Sequence, residues 1–252
     1  MSSIHAYTER TPNAYQSQHG EDRWLEQYFE GRRDGFFVEV GAYDGVVLSN
    51  SFYLESIGWR GLLVEPNPGK AAECRENRPL AKVFECAAVG SGNAGEVSFE
   101  VVEGGEVYST LAMSPEHSAR LAQYGLQARK IIVRGRTLDS ILEEARLPRV
   151  DYVSIDVEGG ELDVLRGFSL QRWHPAVVMI EVNERIRRPE IRDAFTSSGY
   201  VYLRTLGIND VYVPLRTFRS LARAIDAVRY SSGLVRRALR RGARMFAHRD
   251  PL

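Results

Sequence analysis

Residues 36–45, FFVEVGAYDG, give the clearest indication of the fold class of this chain. Its first five residues form a short apolar run that is typical of a buried β-strand, and Gly41 follows directly. A polar turn at 42–45 and a predicted short helix at 50–57 come next. A strand, a glycine turn and a helix in this order indicate an α/β sheet that binds a nucleotide-like ligand at its carboxyl edge.

The same alternation of strands and helices continues along the chain. Further strands with helices between them are predicted at 61–65, 81–86, 152–156 and 176–182. Parallel strands joined by helices need right-handed crossovers, so this order predicts an open, mostly parallel, Rossmann-like sheet. Two late strands, at 200–204 and 211–214, flank a Gly-Ile-Asn-Asp turn and are expected to close the sheet as an antiparallel hairpin.

Periodicity and composition divide the chain into three predicted parts. Residues 1–34 are expected to form a helical segment that acts as a lid, and 35–215 form the Rossmann-like domain. Within that domain, about 95–135 is an insertion expected over one edge of the sheet. The last part, 216–252, contains ten Arg against two Asp and has apolar residues at helical spacing, which predicts a basic amphipathic helical tail.

The composition and termini narrow the class of protein. Hydrophobic residues make up 44% of the chain and charged residues 26%, as in ordinary globular domains. The net charge is zero, so no nucleic-acid partner is indicated. Cys74 and Cys86 form neither a disulfide framework nor a metal-ligand spacing. Neither a signal-peptide pattern nor an apolar run long enough to span a membrane is present, so we expect a cytoplasmic protein.

Glu65 is the first candidate binding residue outside the glycine turn. It ends the second predicted strand, 24 residues after Gly41, where such folds place an acid that binds a ribose diol. A carboxylate accepts hydrogen bonds from two adjacent hydroxyls and repels a 2′-phosphate. The glycine spacing is not G-x-G-x-x-G, which disfavours a dinucleotide. A plain tight turn and a solvated glutamate remain the structural alternatives.

Two later strands also end in carboxylates. Asp156 and Glu158 follow one buried strand, and Glu181 follows the next. Because adjacent strand ends lie about 5 Å apart, Asp156 and Glu181 are expected to converge. Such a pair shares a proton or binds a metal ion, unless the acids simply cap the helices that follow.

Several blocks of this sequence resemble the FkbM family of methyltransferases, in the order in which the family has them. The blocks are SQHGED at 17–22, FVEVGAYDG at 37–45, SNS at 49–51, VEPN at 64–67, TLD at 137–139, and DYVSIDVEGGELDVLRGF at 151–168. The similarity runs from about 16 to 202. It implies a class I methyltransferase fold that uses S-adenosyl-L-methionine, with a hydroxyl oxygen of a sugar or natural product as the usual acceptor.

The resemblance also implies which residues bind the cofactor. The methionine part is expected at the turn after the first strand, the ribose at Glu65, and the adenine beside Pro66 and the end of the third strand. The implied residues are Gln18, Glu39, Gly41, Asp44, Gly45, Asn50, Glu65, Pro66, Cys86, Ala87 and Asp156. Glu39 and Tyr43 are larger than the Asp and Asn that the family pattern has at these positions.

Transfer of a methyl group to a hydroxyl requires that its proton be taken or polarised. We expect Asp156, Glu181 and Asn183 to hold Mg²⁺, because an all-oxygen set suits this ion. In the metal-free alternative, Glu181, Asp156 or His19 is the catalytic base.

The expected partner is a small-molecule or saccharide acceptor, a glycolipid included, and not a nucleic acid. The arginine-rich tail is expected to pack on the domain, to pair with a second subunit as a homo-oligomer, to rest on an anionic membrane, or to stay poorly ordered. Two other functional classes remain open from the residues alone. One is a nicotinamide-dependent oxidoreductase, and the other is a non-catalytic scaffold with a cofactor-like fold.

Overall fold

The computed structural model describes residues 15–111, 113, 115–182 and 188–218. The chain divides into a main unit, Met1–Pro214, and a second unit, Leu215–Leu252. Asn183 and most of the predicted basic tail lie outside the described residues, so the expectations about them stay predictions. No helix within the described ranges is both long and apolar enough to cross a membrane.

The described part of the chain contains ten β-strands. They are β1 (Phe36–Val40), β2 (Arg60–Val64), β3 (Lys82–Phe84), β4 (Ala87–Ala88), β5 (Gly95–Glu103), β6 (Gln127–Arg136), β7 (Tyr152–Ile155), β8 (Val177–Glu181), β9 (Tyr200–Leu206) and β10 (Asn209–Pro214). Seven form one sheet in the order β3-β2-β1-β7-β8-β10-β9. The first five of these pair in parallel, and β10 runs antiparallel to both β8 and β9. The predicted Rossmann-like sheet with a closing antiparallel hairpin is therefore confirmed.

Eight α-helices connect or flank these strands in the described ranges. They are α1 (Glu21–Tyr28), α2 (Phe52–Ser56), α3 (Pro68–Asn77), α4 (Pro115–Gln123), α5 (Leu138–Ala145), α6 (Glu161–Arg166), α7 (Leu170–Trp173) and α8 (Arg188–Ser197). Local sequence fixes several of their starts. The Asn67 side chain accepts a hydrogen bond from the Gly69 amide with Pro68 at the first position, and Thr137 caps α5 in the same way.

The core lies on both faces of the seven-stranded sheet. Because neighbouring residues of a strand point to opposite faces, Val38 and Val40 of β1 pack in one apolar cluster and Phe37 in the other. The first cluster includes residues of α5, α6 and α8, and the second includes residues of α1 and α2. Both faces of the central strands are covered, which leaves their carboxyl ends as the place where polar side chains collect.

A second, three-stranded sheet has the order β4-β6-β5. The predicted strand at 81–86 is shorter than expected: it ends at Phe84, the Cys86 amide bonds to the Phe84 carbonyl, and the chain leaves for the second sheet at β4. β5 and β6 pair antiparallel along most of their length. The buried Thr110, which follows β5, donates its hydroxyl to the Glu158 carbonyl at 2.8 Å and so ties this sheet to the turn after β7.

Candidate active site

A cleft of about 290 Å³ lies at the carboxyl ends of β1, β2, β7 and β8. Its remaining walls come from the loop before α2, from residues 106–109 and Leu111 after β5, and from the turn between β9 and β10. The predicted site residues that line it are Gln18, Glu39, Gly41, Asn50, Glu65, Pro66, Ala87, Asp156 and Glu181. This volume is close to the lower end of the range for small-molecule ligand sites, which is about 300 Å³.

Gly41 allows two strand ends to meet at the floor of this cleft. Its φ of 83° is in the left-handed region, and a Cβ atom built there would lie 1.7 Å from the Asp156 carbonyl oxygen. Any side chain would therefore separate the ends of β1 and β7. Gly41 is therefore needed for the path of the backbone, in addition to the ligand access expected from the sequence.

Glu65 is buried at the end of β2 and is held by two backbone amides. Its Oε2 accepts a hydrogen bond from Tyr43 at 2.9 Å, and its Oε1 accepts one from Asn67 at 2.8 Å. Burial raises the pKa of this carboxyl to about 7, although the two amides oppose the shift. Each oxygen has a second lone pair, so the group can still accept the two hydroxyls of a ribose.

Glu39 lines the cleft but uses its carboxylate to hold a loop. Its Oε2 accepts the hydroxyls of Ser49 at 2.8 Å and Ser51 at 2.6 Å, and its Oε1 accepts the Asn50 amide at 2.9 Å. The Asn50 side chain in turn donates to Ser154 Oγ at 3.1 Å. Glu39 thus fixes the loop that carries Asn50 into the cleft.

Arg78 is a buried cation that contacts this loop. Only 1% of the residue is exposed, and its Nε lies 2.6 Å from Glu55. Its Nη1 donates to the Gly45 carbonyl at 2.8 Å and lies 3.8 Å from Glu39 Oε2. Its Nη2 donates to Ser51 Oγ at 3.0 Å. Sequence analysis missed this residue, because an arginine at the end of α3 has the pattern of a solvated helix end.

The structure places four predicted site residues outside the lining of the cleft. Asp44 Oδ1 accepts the Val46 and Val47 amides, both at 2.8 Å, and so shapes the turn after β1. Gly45 packs against Arg78, and Cys86 is buried in the core. His19 is an exposed residue whose ring lies against Gly207 of the β9–β10 turn.

Three carboxylates meet at the ends of β7 and β8. Asp156, Glu158 and Glu181 each place one oxygen within 4.8 Å of the others, and we call these residues the acid cluster. The predicted convergence of Asp156 and Glu181 is thus observed. Glu158 joins them through a backbone φ of 54°, a left-handed conformation that the sequence pattern did not indicate.

The carboxyl groups of the acid cluster disfavour one another's charged forms. Burial raises the pKa of Asp156, and the nearby Glu158 raises it further. Burial also raises the pKa of Glu181, with Asp156 as the next cause. Only 3% of Glu181 is exposed, and its Oε2 has no hydrogen-bond partner among the described residues. Carboxylates this close favour a shared proton or a bound cation.

The strand order, the cleft at the carboxyl edge and the strand-end acid Glu65 are typical of Rossmann-like domains, a class in which nucleotide-like cofactors bind at this edge. The sequence matches the methyltransferase FkbM domain over residues 39–202. This match covers more than half of the chain, and the chain belongs to the FkbM methyltransferase family. Its fold is that of class I methyltransferases, and the family implies S-adenosylmethionine as the cofactor. Family membership removes the oxidoreductase alternative.

No curated protein matches the sequence at a significant level. Among solved structures, the chain is similar to methyltransferase FkbM from Methylobacillus flagellatus KT, with 14% identity over 72% of this chain and 44% of the other, and a TM-score of 0.46. The chain therefore spans less than half the length of that protein.

Two further solved structures are similar over a larger share of their own length. One is precorrin-6y C5,15-methyltransferase from Geobacter metallireducens GS-15, with 13% identity over 76% of this chain and 86% of the other, and a TM-score of 0.43. The other is a TehB-like SAM-dependent methyltransferase from Corynebacterium glutamicum, with 12% identity over 78% and 88%, and a TM-score of 0.42.

Proposed function

We propose that this protein transfers the methyl group of S-adenosylmethionine to a hydroxyl oxygen of a sugar, glycolipid or natural-product acceptor. The acid cluster is the observation that carries this proposal. An oxygen acceptor must give up its proton when it is methylated, and a carboxylate of the acid cluster that is ionised in the liganded site is suited to take it. The cluster lines the same cleft as Glu65, the candidate ribose ligand.

The residues of the cleft fit the proposed cofactor. Glu65 would hold the ribose, Pro66 and Ala87 would contact the adenine, and Gly41 and Asn50 would border the methionine part. When bound, S-adenosylmethionine supplies an electrophilic methyl group on a positively charged sulfur. The chain's own contribution is then to hold both reactants in line and to exclude water, which can provide much of the rate enhancement.

The acid cluster also fits a divalent cation. Asp156, Glu158 and Glu181 offer hard oxygen ligands, and the buried Glu181 Oε2 has no other partner in the described part of the chain. These residues would hold Mg²⁺, which would offset the repulsion among the carboxylates and acidify a nearby hydroxyl. Asn183, the third ligand expected from the sequence, lies outside the described residues, and its role stays a prediction.

Metal binding can be tested without knowing the acceptor. Mn²⁺ prefers the same oxygen ligands as Mg²⁺ and can be titrated by electron paramagnetic resonance. We expect one Mn²⁺ per chain, displaced by Mg²⁺, and at least tenfold weaker binding in Glu181→Gln. The matched control is Glu103→Gln, which alters an exposed carboxylate that pairs with Arg129 outside the cleft. An absence of Mn²⁺ binding would leave a carboxylate as the base and remove the metal.

The acceptor atom is tested by transfer of a labelled methyl group. Incubation with S-[methyl-¹³C]adenosylmethionine and a panel of glycosides and hydroxylated natural products should give a methoxyl carbon signal. A product methylated on nitrogen or carbon would contradict the proposal. Exhaustive chelation should abolish the reaction, and Mg²⁺ should restore it. Full activity after chelation would retain O-methylation but without the metal.

A further inference from the structure

The residues just before α1, together with the first two residues of that helix, border the cleft and are held in place by two buried acids. We call residues 16–22 the N-terminal block. Ser17 forms a parallel β-bridge with Leu48, which lines the cleft, and the exposed Gln18 lines the cleft itself. The block therefore stands beside the loop that carries Asn50.

Asp22 accepts the hydrogen bonds that hold the block in its conformation. It is fully buried, and its Oδ2 accepts the amides of Gln16 at 2.7 Å and Ser17 at 3.0 Å. Its Oδ1 accepts the Ser17 hydroxyl at 2.6 Å. A buried carboxylate is costly unless several donors compensate it. The donors here belong to the two residues just before Gln18, so the compensation of Asp22 also fixes where Gln18 lies.

Glu21 joins the block to the first residue of β10. It is fully buried, and it accepts the His19 amide and the Asn209 side-chain amide, both at 2.8 Å. A Cβ atom on Gly207 would lie 1.9 Å from the His19 ring, so this ring is closely packed on the β9–β10 turn. Ile208 of the same turn also lines the cleft. The block thus contacts the loop at Leu48 and the β9–β10 hairpin at Gly207 and Asn209.

We propose that the N-terminal block is a fixed wall of the cofactor site, in which Glu21 and Asp22 are positioning residues that hold Gln18, the ligand implied by the family resemblance, against bound S-adenosylmethionine. Two fully buried acids, each with a hydrogen-bond donor on both carboxylate oxygens, suit a wall that is formed before the ligand arrives. The lid expected from the sequence would instead need these bonds to break and form with each turnover. The inference rests on the S-adenosylmethionine site and is independent of the acceptor atom.

Hydrogen exchange distinguishes a wall from a lid. In the unliganded protein, the amides of Gln16, Ser17 and His19 should already be protected, and saturating S-adenosylhomocysteine should change their exchange rates less than threefold. Weak protection that rises more than tenfold with the ligand would overturn the wall. Calorimetric titration of the same protein under the same conditions establishes that the ligand is bound.

Calorimetric titration with S-adenosylhomocysteine tests the two roles in the block. Gln18→Ala changes an exposed residue and should weaken binding three- to tenfold through one lost hydrogen bond, with block protection unchanged. Asp22→Ala should weaken binding at least as much and also remove the protection. Asp22→Asn, which keeps an oxygen for the Gln16 and Ser17 amides, should restore most of the affinity.

A double variant shows whether Asp22 acts through Gln18. Gln18→Ala combined with Asp22→Ala should bind no more weakly than Asp22→Ala alone, since a contact that is already lost cannot be lost twice. Multiplied losses, or an unchanged affinity in Gln18→Ala, would overturn the proposal. Should Asp22→Ala not fold, the Gln18→Ala titration and the exchange rates of the unmodified protein still decide it.

The matched control is Asp151→Ala. Asp151 is a buried acid at the amino ends of β1 and β7, the end of these strands that is remote from the cleft. It has three partners: the Phe36 amide, Arg149 and Arg32. This variant should lose stability and keep its affinity within twofold. Absence of S-adenosylhomocysteine binding in the unmodified protein would count against the cofactor site itself and would be seen before any variant is made.

Discussion

Glu39 and Glu181 are both buried glutamates that line the same cleft, and their surroundings are opposite. Glu39 accepts three hydrogen bonds and lies 3.8 Å from the Arg78 guanidinium. Glu181 faces two further carboxylates, Asp156 and Glu158. One of its oxygens has no hydrogen-bond partner within the described ranges. Residue type and burial are nearly the same, and only the neighbours differ.

This difference separates architecture from chemistry. A buried carboxylate with a full set of donors stabilises the conformation that supplies them, and removing either side is costly. A buried carboxylate beside other carboxylates destabilises the unliganded fold and becomes favourable only with a proton, a cation or a ligand donor. Glu39 therefore supports the cleft wall, and Glu181 is the glutamate to which we assign the chemistry in the proposed function.

Glu181→Gln should produce the largest functional effect in the molecule. We expect the rate of methyl transfer to fall by about 10²- to 10⁴-fold, the range for loss of a catalytic acid–base group. The affinity for S-adenosylhomocysteine should change less than threefold. Single-turnover transfer of a labelled methyl group measures the rate. A rate within fivefold of the unmodified protein would place the chemistry outside the acid cluster.

Arg78→Met should produce the largest loss of stability. It leaves Glu39 and Glu55 buried without their cation, and breaking such a pair costs about 3–5 kcal/mol. Urea denaturation followed by circular dichroism measures the free energy of unfolding. The control is Arg172→Met, which removes an exposed ion pair with Glu143 and should cost less than about 1 kcal/mol. Equal losses in the two variants would contradict a supporting role for Arg78.

Much of the fold followed from local sequence. The apolar runs at β1, β7 and β8 predicted buried parallel strands, and the glycine turns between them predicted where the chain would reverse. The convergence of Asp156 and Glu181 followed from the spacing of adjacent strands alone. Both the sheet and the main acids of the candidate site can therefore be predicted from the sequence.

The parts that were missed depend on contacts distant in sequence or on unusual backbone conformations. Arg78 meets Glu55 and Gly45 only after folding, and nothing local marks it as buried. Glu158 enters the acid cluster through a positive φ that glutamate seldom adopts. The apolar run that includes Cys86 was predicted as one strand, but its end crosses to a second sheet and turns the thiol into the core.

Glu65 provides an intermediate case, since it is bound by two amides and still has lone pairs for a ligand. Glu65→Ala should remove two charge-assisted bonds to the ribose and cost about 2–3 kcal/mol of cofactor binding. This corresponds to a roughly 30- to 150-fold higher Kd for S-adenosylhomocysteine. Isothermal titration measures it. An unchanged Kd would remove Glu65 from the ribose site.

The raised pKa of Glu65 adds a smaller, pH-dependent effect. Its value of about 7 lies above the ordinary 4.5, so ionisation costs the unliganded fold stability as the pH rises towards 7. A ribose diol donates to the charged form, so cofactor affinity should fall as the pH drops below 7, by up to about tenfold per pH unit. Titrations at pH 5.5, 6.5 and 7.5 should show this slope, and Glu65→Gln should flatten it. A flat profile in the unmodified protein would argue against carboxylate–diol binding.

The contrast between the two glutamates is tested most directly by the free energy of unfolding of Glu39→Gln and Glu181→Gln, measured by urea denaturation at pH 7 without metal or cofactor. Glu39→Gln should lower it by about 3 kcal/mol, because a buried partner of Arg78 loses its charge. Glu181→Gln should change it by less than about 1 kcal/mol, because burial and Asp156 raise the pKa of Glu181, and the neutral amide then replaces a protonated carboxyl that can already donate to Asp156. A loss of stability in both variants, of similar size, would contradict the assignment of one glutamate to the architecture and the other to the chemistry.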